Sequence, residues 1–494
     1  MGLLDPPSLT PRKADSRYSR SRTDLRIVGT RTGAPSQGDS HLLSPPIPYG
    51  ANNTIACYMP SDATGLRVAY AAWRMTPNGE ESNLNKVTYH TGFQPDYNSN
   101  FVIGFTFGGS NAATIVPGGD IVVSDQLPGL FEAGLHGLRS FVSVDEPKAV
   151  FTGSISGTSG TITNVTSGTV AIGQNLIGTG ISANTVITDV GAGTFTVNNS
   201  QTVSSTTITA SASSFPLGRT AVSGLDERSD RGAPVGDKVF GDKPSSAAGT
   251  GAGVLALLGY PTDINARSVA IIGDSIANGA FDTPDSNGNV GFIERALNRS
   301  IAWATLARNG NSYTKMDIRS YGQKNFAGSY ATDVICENGA NDCTSGTSLA
   351  TWQSKEIAVW TDIKAIQVAN GITDGRIWAT TITPNTTSTD GWTTLGNQTI
   401  TAFNANRVAH NDWLRDGAPI SNGTAAAVGT SSALRMGDEG HPCAGYFEIA
   451  DLAESARNSG KWRVDIGAVT GDGTHPNSTG YAALAPGVEV SRIM

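Results

Sequence analysis

The sequence is most informative at first through what it lacks. Only four cysteines occur in 494 residues, Cys57, Cys336, Cys343 and Cys443. That is too few for a disulfide scaffold, and no C-x-x-C pair offers zinc-site spacing. Cys336 and Cys343 could bridge or remain buried thiols; the sequence leaves both open. Charge is sparse at 15%, and its balance of −8 lacks the basic excess that a phosphate-binding face needs, which argues against nucleic acid as a partner. No apolar run approaches the roughly 20 residues needed to span a bilayer, so no membrane partner is expected. The first residues, MGLLDPPSLTPRKADSRYSRSRTDLRIV, lack the apolar core of a secretory signal.

What is abundant is glycine, at 59 residues, together with many Thr, Ser and Asn, which marks a chain rich in turns and strands. At this length more than one hydrophobic core is expected. Residues 1–48 are Pro-, Ser- and Arg-rich, with seven Lys/Arg between Arg12 and Arg31. They read as a poorly ordered or partner-binding tail. Residues 49–151 alternate in the manner of short antiparallel strands (FVIGFTFGG, TIVPGGDIVVSD, LRSFVSVDEP), and the pattern resumes over 213–245, so these pieces predict a β-sandwich. Between them, 152–212 has a single charged residue, Asp189, and small β-branched runs separated by Gly-Thr and Ala-Asn turns. It predicts a separate small all-β module inserted into the sandwich.

A Gly/Ala/Ser stretch (KPSSAAGTGAGVLALLGYP) leads into a last domain at 262–494. There, strand-like SVAIIGDS, helix-like GFIERALNRSIAWATLA, strand-like ATDVICENGAND, helix-like SLATWQSKEIAVWTDIKAIQVAN, strand-like GRIWATTITP and helix-like TITAFNANRVAHNDWLRDG alternate. FEIADLAESARNSGKWR and GYAALAPGVEV read as further helices. Alternation of this kind predicts a mostly parallel sheet covered on both faces, a three-layer α/β/α domain.

Gly-Asp-Ser occurs twice. Gly38-Asp39-Ser40 lies in the polar tail with no strand before it. Gly273-Asp274-Ser275 directly follows an apolar strand, and ligands of open α/β sheets bind at the carboxyl ends of strands. Ser275 is therefore the candidate nucleophile. A serine hydroxyl needs a base held in one tautomer, and six histidines could serve: His41, His90, His136, His410, His441 and His475. Two lie in D-x-x-H-P, at Asp438/His441 and Asp472/His475. The helical segment after His475 near the chain end favours the second pair.

In this order, Gly273-Asp274-Ser275, Gly339-Ala340-Asn341-Asp342 and Asp472-Gly473-Thr474-His475-Pro476 resemble blocks of the SGNH (GDSL-type) hydrolases. The resemblance spans about 262–494 and implies ester hydrolysis, with Ser275 as nucleophile, His475 as base and Asp472 as its orienting acid. Asn341 and the Ser275 amide would be oxyanion donors, and the enzyme would need no metal and no cofactor. Where the family shows N-x-G-x-S-G, this chain has Arg308-Asn309-Gly310-Asn311-Ser312-Tyr313, in which Gly310 and Ser312 match, so the Tyr313 amide would stand in for a glycine donor and its ring would narrow the acyl pocket. FTFGGSNAATIVPGGDIVVSD is similar to the sandwich preceding the hydrolase domain in a carbohydrate-esterase-like branch. The G-Q-x-L-x-G-T-G-I and T-F-T-V-N-x-S-Q-T-V-x-S-T-T-I patterns of 173–208 resemble a module of phage tail and bacterial surface proteins.

The resulting expectation is a serine esterase acting on acetyl esters of a polysaccharide, extracellular or virion-associated. Virion proteins would be partners through the tail, and a homo-oligomer is compatible with that setting. Two competitors stay open: a virion structural or glycan-binding adhesin with an inactive hydrolase domain, and a lipase or thioesterase.

Overall fold

The computed structural model describes residues 24–34, 49–76, 79–82, 87–116, 119–144, 149–183, 185–212, 217–232, 236–245, 249–319 and 321–494. The tail expectation for 1–23 and 35–48, including His41 and the first Gly-Asp-Ser, lies outside them.

Six parallel strands form the sheet of the last domain: β1 (Thr32–Gly33), β2 (Ser268–Gly273), β3 (Ala302–Thr305), β4 (Asp333–Glu337), β5 (Arg376–Thr380) and β6 (Gly445–Phe447), in spatial order β1-β3-β2-β4-β5-β6. Nine α-helices accompany it among the described residues: α1 (Gly291–Leu297), α2 (Tyr313–Arg319), α3 (Tyr321–Tyr330), α4 (Ala340–Thr344), α5 (Leu349–Ala369), α6 (Asn404–Arg415), α7 (Ala450–Ala453), α8 (Ser478–Leu484) and α9 (Val490–Ile493). The period of two divides the strand residues between two cores. Ala270, Ile272, Ala304, Val334 and Cys336 pack with Met316, Phe326, Trp352, Trp360 and Trp413 from α2, α3, α5 and α6. Val269, Ile271, Trp303, Ile335 and Phe447 pack with Phe292, Ile293, Tyr481, Leu484 and Ile493 from α1, α8 and α9. Helices thus cover both faces, which makes three layers. Strands buried on both sides read as continuous apolar runs, as SVAIIG does.

Two helix expectations are corrected by the structure. The run GFIERALNRSIAWATLA is not one helix. It is α1, then Asn298 at φ 45°, then the strand β3. Ala302–Thr305 is buried throughout between β1 and β2, and a short apolar run of this kind has no periodicity to tell strand from helix. FEIADLAESARNSGKWR likewise contributes only the end of β6 and the four residues of α7.

The tail expectation also fails for 24–34. Arg26–Ile27 pairs antiparallel with Ala256–Pro261, and β1 joins the hydrolase sheet beside β3. Ile27 and Val28 are buried, and Arg31 grips Glu227 bidentately at 2.9 and 2.7 Å, both side chains almost fully enclosed. Removing one partner from such a pair typically costs about 3–5 kcal/mol, because the other charge is left buried and unpaired. The basic residues that suggested solvated disorder are in part structural.

The stretch before residue 262 is likewise not a simple linker. Ala256–Pro261 is a strand of the sandwich, between Arg26–Ile27 and Ala63–Tyr70. Leu255 through Leu258 are fully buried. The opposing sheet contains Tyr49–Met59, Gly134–Val144, Val87–Gln94 and Arg228–Gly232. The two sheets enclose a core that includes Met59, Leu66, Val68, Tyr70, Phe93 and Leu257.

In the 149–212 region two 19-residue strands, Ala149–Ser167 and Thr194–Ala212, pair antiparallel, with Gln174–Ile177 and Ile187–Gly191 alongside. They have their own core around Phe151, Leu176, Phe195 and Ile208. All four cysteines are buried free thiols.

Candidate functional site

The site lies at the carboxyl ends of β2 and β4. Gly273, the last residue of β2, stands in register with Glu337, the last of β4. The chain turns immediately afterwards, placing Ser275 on the loop after β2 and Asn341 in α4. From the opposite end of the chain, the loop before α8 delivers Asp472 and His475.

Ser275 Oγ lies 2.8 Å from His475 Nε2, and His475 Nδ1 lies 2.6 Å from Asp472 Oδ2. The other carboxylate oxygen, Asp472 Oδ1, accepts the amides of Thr474 and His475 at 2.9 and 2.8 Å. The D-x-x-H spacing therefore closes a local turn that fixes carboxylate and ring together. Partial burial opposes the charge on Asp472. Hydrogen bonds from the His475 ring and from both amides outweigh that effect and hold its carboxyl below the usual carboxylate range. An ionised Asp472 requires the proton on Nδ1, which leaves Nε2 as an acceptor facing the Ser275 hydroxyl. This is the arrangement in which a serine can be deprotonated as it attacks.

His441 has a different environment. Its ring is buried, with Nδ1 3.0 Å from the Cys443 carbonyl and Nε2 3.0 Å from the Ala418 carbonyl. Asp438 Oδ2 instead accepts the Arg435 amide. The remaining described histidines also have partners elsewhere: His90 with Asp237, His136 with two carbonyls, and His410 with Glu356 under a stacked Trp352.

The oxyanion donors are only partly as expected. The Ser275 amide makes no hydrogen bond among the described residues. Asn341 Nδ2 donates to the Asn311 carbonyl at 2.8 Å, and a side-chain amide has a second N–H to give. Tyr313 is the correction. Its amide donates to Asp342 Oδ2 at 2.8 Å, so it is occupied. Its ring is buried in the core, with the hydroxyl 3.4 Å from the Cys336 carbonyl, and does not narrow an acyl pocket. Asp342 also accepts the Thr314 amide and hydroxyl at 3.0 and 2.6 Å, which ties the start of α2 to α4. A carboxylate placed to satisfy the first amides of a helix can come from a distant segment. Sequence spacing could not reveal that partner.

Two further features had no sequence signal beyond an acidic residue in a buried-type run. Asp274 and Glu337 are both buried beneath the Ser275 turn. Asp274 Oδ1 accepts the Ile276 amide at 2.8 Å, and Glu337 Oε2 accepts the Ala277 amide at 3.1 Å. Burial pushes both carboxyls up; the neighbouring Asp274 raises Glu337 further, whereas the hydrogen bond with Glu337 favours the charge on Asp274. The pair behaves as two acids sharing a proton.

Beside the nucleophile a recess of about 20 Å³ is lined by Ile276, Ala340, Ile382, Pro384, Phe403 and Thr474, among others. Three of these are the chain neighbours of Ser275, Asn341 and His475.

No protein-family model matches this chain. No curated protein is similar to it either. Among solved structures it is similar to a GDSL-like lipase from Bacteroides thetaiotaomicron, at 11% identity over 46% of this chain and 87% of that one, TM-score 0.29. It is similar to a member of the lipolytic G-D-S-L family from Veillonella parvula, at 16% identity over 44% and 94%, TM-score 0.29. An acetyl xylan esterase is similar at 16% identity over 46% and 100%, TM-score 0.30.

Proposed function

We propose that the chain is an ester hydrolase working through an acyl-enzyme on Ser275. The observation that carries this reading is the hydrogen-bonded line from Asp472 through His475 to Ser275. As Ser275 Oγ bonds to the carbonyl carbon, its proton passes to His475 Nε2, and the imidazolium is stabilised by Asp472. The oxyanion is met by the Ser275 amide and the second N–H of Asn341. Collapse breaks the bond to the alcohol oxygen, which takes the proton back from Nε2. A water then repeats the sequence on the acyl-enzyme and returns the free acid and Ser275.

The acyl group is short in this reading. A recess of about 20 Å³ holds little more than one water-sized group, which suits the methyl of an acetyl ester and crowds a longer chain. With 4-nitrophenyl acetate, butyrate and octanoate, kcat/KM is expected to fall at least about tenfold from acetate to octanoate, since an excluded chain forfeits its binding energy. A rise with chain length would support a lipase instead.

We further place the ester on a polysaccharide and the enzyme in an extracellular or virion setting. Support for that setting comes from the pattern that 173–208 shares with modules of phage tail and surface proteins, in a segment with its own core.

A further inference from the structure

One residue beside the site combines exposure, an unfavourable backbone conformation and rigid anchoring. Phe281 follows the nucleophile by six positions, is 73% exposed and has φ 65°. A single exposed aromatic is ordinary. An exposed aromatic held in the left-handed region is not, because a bulky side chain there costs free energy that a glycine would avoid.

The conformation is imposed from both sides. The Ala280 amide donates to the Ser275 carbonyl at 2.9 Å, and the Ala280 carbonyl accepts from the Tyr481 hydroxyl at 3.0 Å. The Asp282 side chain is fully enclosed, gripped by Arg295 at 2.8 and 3.0 Å and by the Gly291 amide at 2.8 Å. The next amide, Thr283, donates to Ser478 Oγ at 2.9 Å. Between these fixed neighbours the ring projects outward, its centroid 5.2 Å from that of the His475 imidazole.

Trp392 supplies a contrast. It also has a positive φ of 59°, but its indole donates to Thr386 Oγ1 at 2.9 Å and it packs onto a core. Its strain is offset by packing. Phe281 belongs to none of the hydrophobic cores among the described residues, and its ring lies against the base itself.

We propose that Phe281 is a stacking platform for a sugar ring of the leaving alcohol. His475 Nε2 must return its proton to the alcohol oxygen, so a surface against the imidazole that does not line the recess beside Ile276 and Ala340 borders the alcohol. A flat apolar face suits the C–H face of a pyranose, whereas a charged or strongly hydrated alcohol gains nothing there. This inference rests on the esterase reading above and deepens it.

The test compares Phe281→Ala, Phe281→Gly and Phe281→Trp with wild type on methyl 6-O-acetyl-glucopyranoside and on ethyl acetate, whose alcohol has no ring. The ratio of kcat/KM for the sugar ester over ethyl acetate is expected to fall about tenfold in the Ala and Gly variants and to be retained by Trp. Phe281→Gly is expected also to raise Tm by about 2 °C by releasing the backbone strain. An unchanged ratio in both Ala and Gly variants, or a lower Tm for Gly, overturns the platform. A second arm titrates the same sugar ester into the Ser275→Ala chain with and without Phe281→Ala, expecting about tenfold weaker binding without the ring. Equal affinities in this arm overturn the inference even if wild type hydrolyses nothing. Weaker binding together with an inert wild type leaves the platform standing and removes the esterase reading.

Discussion

Replacing Ser275 with alanine is expected to lower kcat on 4-nitrophenyl acetate by about 10⁴- to 10⁶-fold while changing KM little. The hydroxyl is the atom that forms the acyl bond, and nothing else in the hydrogen-bonded line to Asp472 can replace it. His475→Ala should cost a similar factor, and the double variant hardly more than either single one, because nucleophile and base act as one unit. Comparison with His441→Ala makes the experiment decisive. His441 is enclosed between two backbone carbonyls, so its removal is expected to lower Tm and leave kcat near wild type. If His441→Ala abolished turnover and His475→Ala did not, the base would have been assigned to the wrong motif.

Asn341→Ala is expected to lower kcat by about 10²- to 10³-fold with a much smaller change in KM. A donor aimed at the developing oxyanion acts in the transition state more than in the ground state. The measurement is the split between kcat and KM on the same ester. Loss confined to KM would make Asn341 a substrate-binding residue. Tyr313→Phe serves as the comparison. Because its amide is held by Asp342 and its ring lies in the core, kcat should stay near wild type.

These expectations show which parts of the molecule could be read in advance and which could not. The three-layer domain was legible because β2, β4 and β5 are apolar runs separated by longer helical patterns. The β3 strand was not, because Ala302–Thr305 follows α1 after only a few residues and its burial on both faces erases the period of two. The basic tail misled for a related reason. Arg26 and Arg31 look solvated in sequence, and only the fold brings Asp374 and Glu227 to them.

At the site, Ser275 was readable from the strand before it, and Asp472 and His475 from a spacing short enough to close a turn. Tyr313 was not legible because an amide's direction depends on the partner it meets, here Asp342 of α4. The Asp274–Glu337 pair and the left-handed Phe281 left no trace in local pattern. Both arise from contacts between segments far apart in the chain.

The central claim is that Ser275 becomes acylated during turnover. The most direct test is rapid quenching of wild type with 4-nitrophenyl acetate at low pH, followed by mass measurement of intact protein and of its peptides. The account predicts one added acetyl group, located on the peptide carrying Ser275, growing in as nitrophenol is released and absent from Ser275→Ala. Steady turnover with no acetyl on that peptide, or the same acetyl on the Ser275→Ala chain, would contradict it.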